Sequence, residues 1–195
     1  MADDGRPKKL RAFVAVPLEA GVERAVELLE QVRARCDRAG VRANWVRPEN
    51  LHLTLAFLGG VEPSGVEAIA GALAPLSAHR SFAIELRGVG RFPPAGKPRV
   101  LWMGVGAGAD RLEAIASEVA DRLAPFGFSP DRRPFHPHFT LARVKRATRV
   151  ADDVLNHFRD ADGGVSRVSE LVLLQSLTRP EGPEYTPLAR VPLRG

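Results

Sequence analysis

The sequence predicts an α+β fold in which directly paired strands are interspersed with amphipathic helices. Three observations support this prediction. Segments with strand and helix patterns alternate along the chain, several predicted strands follow one another without a helix between them, and there is no dinucleotide-binding glycine fingerprint and no P-loop. Together they favour antiparallel or mixed sheets over a doubly wound parallel sheet.

The strands are predicted from short runs rich in Val, Leu and aromatic residues. Pro, Gly or Asn residues lie at the ends of these runs. Pro17 ends the first run, and the prolines and glycine of 92–98 separate two strands of a hairpin-like excursion. Gly182 and Pro183 are assigned to the turn before the last strand. The predicted strands, in order, span 10–16, 43–46, 51–57, 82–88, 99–105, a segment beginning at His138, 167–175 and 186–193.

The helices are predicted from apolar residues that recur three and four positions apart. Ser64 and Glu67 have the spacing of a capping box and therefore predict the start of the second helix. The order strand, helix, strand recurs loosely from residue 99 onwards, which indicates two related lobes within one domain, 1–195. The predicted helices, in order, cover 22–36, about 64–76, 112–123 and about 151–159.

The composition is that of an ordinary globular protein. Hydrophobic residues make up 45% of 195 residues and charged residues 26%, enough to bury a core. No apolar run reaches the length of a membrane span and no signal-peptide hydrophobic segment is present, so we expect a cytoplasmic monomer that does not enter membranes. The net charge of +5 favours a polyanionic partner such as nucleic acid.

One four-residue pattern, His-x-Thr-Leu, occurs twice, as His52-Leu53-Thr54-Leu55 and as His138-Phe139-Thr140-Leu141. A single copy would be weak evidence, but two copies in one chain are far rarer by chance. Because side chains alternate along a strand, each His and its Thr share one face while the apolar residues share the other. Two such strands side by side would direct two imidazoles and two hydroxyls into one cleft.

This set of groups suits the hydrolysis of a cyclic phosphate. Attacking water must lose a proton while the ribose oxygen that leaves phosphorus must gain one, and two imidazoles that titrate near neutrality can perform both transfers. The hydroxyls of Thr54 and Thr140 can donate hydrogen bonds to the non-bridging phosphate oxygens. No metal and no cofactor are required. The residues alone do not say which histidine is the acid.

The sequence resembles the 2H phosphoesterases, a family named for two His-x-Thr/Ser motifs, and within it the RNA 2′,3′-cyclic phosphodiesterases, formerly called 2′-5′ RNA ligases. The resemblance implies a two-lobed fold with pseudo-two-fold related antiparallel or mixed sheets, helices on the outside and a central cleft. It covers most of the chain. The matching segments are 11–13, 50–59, 98–102, 137–143 and 182–185.

The resemblance also implies roles for individual residues. His52 would be the acid that protonates the departing 3′ oxygen, and His138 the base that activates water, so that a 2′-phosphate is left. A 5′-hydroxyl in place of water would give a 2′-5′ linkage. The implied substrates are 2′,3′-cyclic phosphate ends of RNA or small cyclic nucleotides.

Two further residues are candidates for substrate binding. Arg143 would bind phosphate according to the resemblance, but strict alternation places it opposite His138, so a bulge or strand end is needed. Phe57 occupies the equivalent place in the first motif. It could stack on the nucleobase or belong to the core.

Two other classes of protein fit parts of the sequence. His136 and His138 could share a metal ion as in a metal-dependent hydrolase, although no His-Glu-x-x-His helix and no acidic residue within either motif supports this. A non-catalytic module that binds RNA ends is the second alternative.

Four basic residues flank the second motif, and they suggest a ligand longer than one nucleotide. These residues are Arg132, Arg133, Lys145 and Arg146.

Overall fold

In the computed structural model the described residues, 9–19, 22–129, 134–146, 150–179 and 182–195, contain one nine-stranded antiparallel sheet and four α-helices. The strands are β1 (Leu10–Pro17), β2 (Arg42–Trp45), β3 (His52–Val61), β4 (Phe82–Phe92), β5 (Val100–Val105), β6 (His138–Arg146), β7 (Asp162–Val168), β8 (Glu170–Arg179) and β9 (Gly182–Pro192). The helices are α1 (Glu23–Arg38), α2 (Val66–Leu73), α3 (Ala109–Leu123) and α4 (Val150–His157).

The two lobes meet where the two motif strands lie side by side. The strand order is β7-β4-β5-β6-β3-β1-β8-β9, with β2 paired to β6 beyond this path. β3 and β6 pair only at Leu53 and Phe139, both fully buried. This order confirms the α+β prediction and the two related lobes, because β1, α1 and β3 are matched by β5, α3 and β6.

The helices cover one face of the sheet and form the main core with it. α1 packs against β7 of the other lobe, whereas α3 packs against β3, so each helix ties the two lobes together. Cys36 is buried in this core, as free cysteine commonly is. None of the helices in the described ranges has the length and apolar character needed to span a bilayer.

The predicted elements differ from the structure in three places. Pro63–Gly65 forms a 3-10 turn and α2 begins at Val66 with no side-chain cap, so the predicted capping box is not formed. β7 was not predicted because glycines weaken a strand pattern. One of them, Gly163, is required by packing, since a Cβ there would lie 2.7 Å from the sulfur of Met103. Gly182 and Pro183 lie in β9 rather than in the turn.

Candidate active site

Two β-bulges determine which side chains share the face of the motif histidines. On β3 the register against β1 shifts at Leu55, and on β6 the register against β5 shifts at Leu141. Each shift adds one unpaired residue and reverses the alternation beyond it. Phe57 and Arg143, each five residues after a motif histidine, are therefore exposed on the histidine face. The bulge that the prediction for Arg143 required is present.

The motif histidines and threonines are half-buried on the open face of the sheet. His52 and Thr54 flank the paired residue of β3, and His138 and Thr140 flank the paired residue of β6. Because the two strands are antiparallel, each histidine lies beside the other strand's threonine. The predicted face is thus confirmed for all four side chains, and their roles stay predictions.

Both imidazoles are held in the same way by the backbone. Nδ1 of His52 is 2.7 Å from the carbonyl oxygen of Asn50, and Nδ1 of His138 is 2.6 Å from that of His136. A carbonyl oxygen only accepts, so Nδ1 carries a proton and donates in each ring. In both histidines Nε2 is therefore the atom that can gain or lose a proton during chemistry.

Aromatic rings surround His52. Its ring lies 5.0 Å from that of Phe13 on β1 and 5.0 Å, edge-on, from that of Tyr185 on β9. Phe13 also stacks on Phe57 at 6.0 Å, and the Arg11 guanidinium lies 4.9 Å from the centre of the Phe57 ring. Phe57 is 54% exposed, so it offers a supported aromatic surface next to the first histidine.

A second aromatic group surrounds His138. Phe92 contacts its ring edge-on at 5.0 Å, and Trp102 lies 6.2 Å away. His136 packs on Trp102 at 4.8 Å and is stacked 6.3 Å from His138. The sequence pattern does not mark Phe92 and Phe13 as site residues, since only strand pairing brings β1 and β4 to the motifs.

Burial is the main cause that lowers the pKa of both imidazoles. For His52 the charge of Arg143 and that of His138 lower the pKa further, and the carbonyl of Asn50 partly opposes the shift. For His138 the charges of His136 and Arg143 act in the same direction. The charge of Arg143 thus lowers the pKa of both rings. Burial also raises the pKa of Tyr185, while Arg143 opposes this.

Replacing Gly90 with Ala is expected to destabilise the wall of the site beside His138. A Cβ at this position would lie 2.2 Å from the Trp102 ring, so the indole would have to move. We expect a loss of about 1–3 kcal/mol in the free energy of unfolding, as is usual for overpacking, measured by urea denaturation. Gly71→Ala, in α2 with open space around it, is the control and should not destabilise. Equal stability of the two variants would contradict this packing.

The remaining predicted residues fall partly outside the described ranges. Arg132 and Arg133 lie outside them, and the side chain of Arg146 is not described, whereas Lys145 is exposed on β6. The role of the basic segment therefore stays a prediction.

Within the described ranges, no three His, Cys, Asp or Glu side chains come together in the manner of a metal site.

Comparisons with known proteins identify the family of this chain. The sequence model of the 2′-5′ RNA ligase superfamily matches residues 17–180. The RNA 2′,3′-cyclic phosphodiesterase of Aeropyrum pernix is 41% identical over 165 residues, which are 84% of this chain and 93% of that protein. The enzyme of the same name from Aquifex aeolicus is 34% identical over 182 residues, 92% of this chain and 95% of that protein.

A solved structure shares the fold along nearly its whole length. The crystal structure of E. coli LigT complexed with 3′-AMP superposes with a TM-score of 0.76 at 27% sequence identity, covering 95% of this chain and 99% of that chain. The two-lobed arrangement is therefore common to both proteins.

Proposed function

The chain belongs to the 2′-5′ RNA ligase superfamily, and from this premise we propose that it hydrolyses 2′,3′-cyclic phosphate ends of RNA to 2′-phosphates. One observation carries the proposal. Two imidazoles share a face, each with Nδ1–H held by a backbone carbonyl and Nε2 left for proton transfer, and an arginine acts on both. The names of the relatives support the same substrate class.

The reaction is a single displacement at phosphorus. Nε2 of His138 takes a proton from water, whose oxygen forms a new bond to phosphorus on the side opposite the 3′ oxygen. The bond between phosphorus and the 3′ oxygen breaks, and Nε2–H of His52 gives that oxygen its proton. The product carries a 2′-phosphate and a free 3′-hydroxyl. A 5′-hydroxyl in place of water would give a 2′-5′ phosphodiester by the same steps.

The phosphate itself would lie between the two lobes. Thr54 and Thr140 flank the histidines and can donate from their hydroxyls to the non-bridging oxygens. Arg143 supplies the positive charge that the threonines lack, and its planar guanidinium can donate two hydrogen bonds to one phosphate. The exposed ring of Phe57 is available for stacking on the base of the terminal nucleotide.

The pH dependence of kcat/KM is expected to be a bell centred below pH 6.5. The free enzyme needs one neutral and one charged imidazole, and burial lowers the pKa of both from an ordinary value of 6.5. The two pKa values that the limbs of the bell report belong to the coupled pair of imidazoles rather than to single residues. Bound phosphate stabilises imidazolium, so the optimum of kcat should lie at higher pH than that of kcat/KM. A kcat/KM optimum above about pH 7.5 would contradict these shifts.

Product analysis tests the proposed activity directly. A short RNA ending in a 2′,3′-cyclic phosphate is incubated with the protein in EDTA, and the two phosphate isomers are separated by chromatography. We expect turnover to a 2′-phosphate alone. Activity that appears only after a metal is added would favour the metal-dependent alternative, and binding without turnover would favour the RNA-end binding module. The monomeric state and the cytoplasmic location stay predictions.

A further inference from the structure

A cleft of about 310 Å³ lies next to His52. One wall is the 3-10 turn Pro48–Asn50, which ends one residue before β3, and the other is the beginning of β9. The Asn50 side chain links the walls by donating to the carbonyl oxygen of Pro183. The same Asn50 holds His52 through its own carbonyl, and Tyr185, which lines the cleft, contacts the His52 ring. Two residues that line the cleft, Asn50 and Tyr185, therefore contact His52.

The geometry of the displacement places the nucleoside on this side. The attacking oxygen and the leaving oxygen occupy opposite sides of phosphorus, with the base near one and the acid near the other. The leaving 3′ oxygen belongs to the ribose of the terminal nucleotide. With His52 as the acid, that ribose lies toward His52, and a phosphate on its 5′ oxygen joins it to the preceding nucleotide.

The lining of the cleft suits a ribonucleotide better than a simple anion. It contains two arginines, Arg47 and Arg179, and two carboxylates, Glu49 and Glu184. Guanidinium groups recognise phosphate, whereas carboxylates accept hydrogen bonds from a ribose 2′-hydroxyl or from amino groups of a base. A volume of this size is at the lower end of the range for ligand sites.

We propose that this cleft binds the nucleotide preceding the one that carries the cyclic phosphate, with Arg179 contacting the phosphate between them. The inference rests on the proposed function and narrows its substrate class to oligonucleotides. Arg179 is at present 3.1 Å from Glu184 in an ion pair whose side chains are both more than half exposed. Such a pair is weakly held, so a phosphate can replace the carboxylate at low cost.

The test compares two substrates that differ only by the preceding nucleotide. Values of kcat/KM are measured for adenosine 2′,3′-cyclic phosphate and for the ApA dinucleotide with the same cyclic end, and their ratio is taken. We expect the dinucleotide to be favoured about tenfold or more, as one charge-assisted contact would give. Arg179→Gln should lower this ratio several-fold. Glu184→Gln should raise it, because the competing carboxylate is removed.

The two cleft variants should change the substrate ratio in opposite directions, and this separates a role in recognition from damage to the fold. A variant that merely disturbs the β8–β9 hairpin would lower the ratio in both cases. Arg190→Gln is the matched control, since Arg190 is also on this hairpin and paired with Glu170 but does not line the cleft, and it should leave the ratio unchanged. A ratio near one in the wild type, or a fall in both cleft variants, would overturn the inference. No turnover of either substrate would instead refute the proposed function.

Discussion

Replacing His52 or His138 with Ala is expected to lower kcat for a cyclic-ended RNA by about 10²–10⁴-fold in each case. Each variant removes one of the two proton transfers, and among the described residues no other side chain presents an equivalent Nε2 with Nδ1 held by a carbonyl. His136 lies beside His138, but its ring is 6.3 Å away and stacked rather than aligned for exchange. The rates are measured with substrate in excess, so that kcat is read separately from binding.

The double variant provides the second part of this prediction. Groups that act as a unit in one step are strongly non-additive, so His52→Ala with His138→Ala should be little slower than either single variant. His157→Ala is the control, since His157 is exposed on α4 and its described ring contact is with Phe158. Near-normal turnover in either single variant would contradict catalysis by an acid–base pair. Retained binding of the 2′-phosphate product would confirm that the variants are folded.

Replacing Arg143 with Gln is expected to lower kcat/KM by about 10²-fold, as the loss of a donor to developing negative charge commonly does. The same change should move the pH profile of kcat/KM upward. The charge of Arg143 lowers the pKa of both imidazoles, so its removal lets each accept its proton at higher pH. Arg143→Lys should recover only part of the rate, since an ammonium cannot make the paired contacts.

Two measurements keep this prediction distinct from general loss of positive charge. Arg33→Gln on α1 removes an exposed arginine in a surface ion pair and should change neither the rate nor the profile. If the role of Arg143 were purely structural, its replacement would lower the rate without shifting the pH dependence of kcat/KM. An unchanged profile in Arg143→Gln would therefore contradict the effect of its charge on the two imidazoles.

The sequence predicted the face that the motif histidines and threonines share because alternation along a strand is a local rule. His52 and Thr54 are separated by one residue, and the buried Leu53 between them fixes their direction. Alternation failed further along, where it placed Phe57 and Arg143 on the apolar face. The bulges at Leu55 and Leu141 reverse that assignment, and a bulge depends on the partner strand rather than on the bulged residues alone.

The surroundings of the two imidazoles depend on contacts between distant segments. Phe13 reaches His52 from β1, and Phe92 reaches His138 from the end of β4. Tyr185 comes to His52 from β9, more than a hundred residues along the chain. No spacing rule within the sequence relates these positions, since only the order of strands in the sheet brings them together. The cleft beside Asn50 depends on the same long-range pairing.

The central claim, that His52 gives a proton to the leaving 3′ oxygen while His138 takes one from water, is tested most directly by changing the leaving atom. In a cyclic substrate with sulfur in place of the 3′ oxygen, the leaving group is a thiolate, which departs without protonation by an acid. We expect His52→Ala to hydrolyse it within about tenfold of the wild-type rate, while His138→Ala stays impaired by about 10²-fold or more. Rescue of His138→Ala instead, or of neither variant, would contradict the assignment.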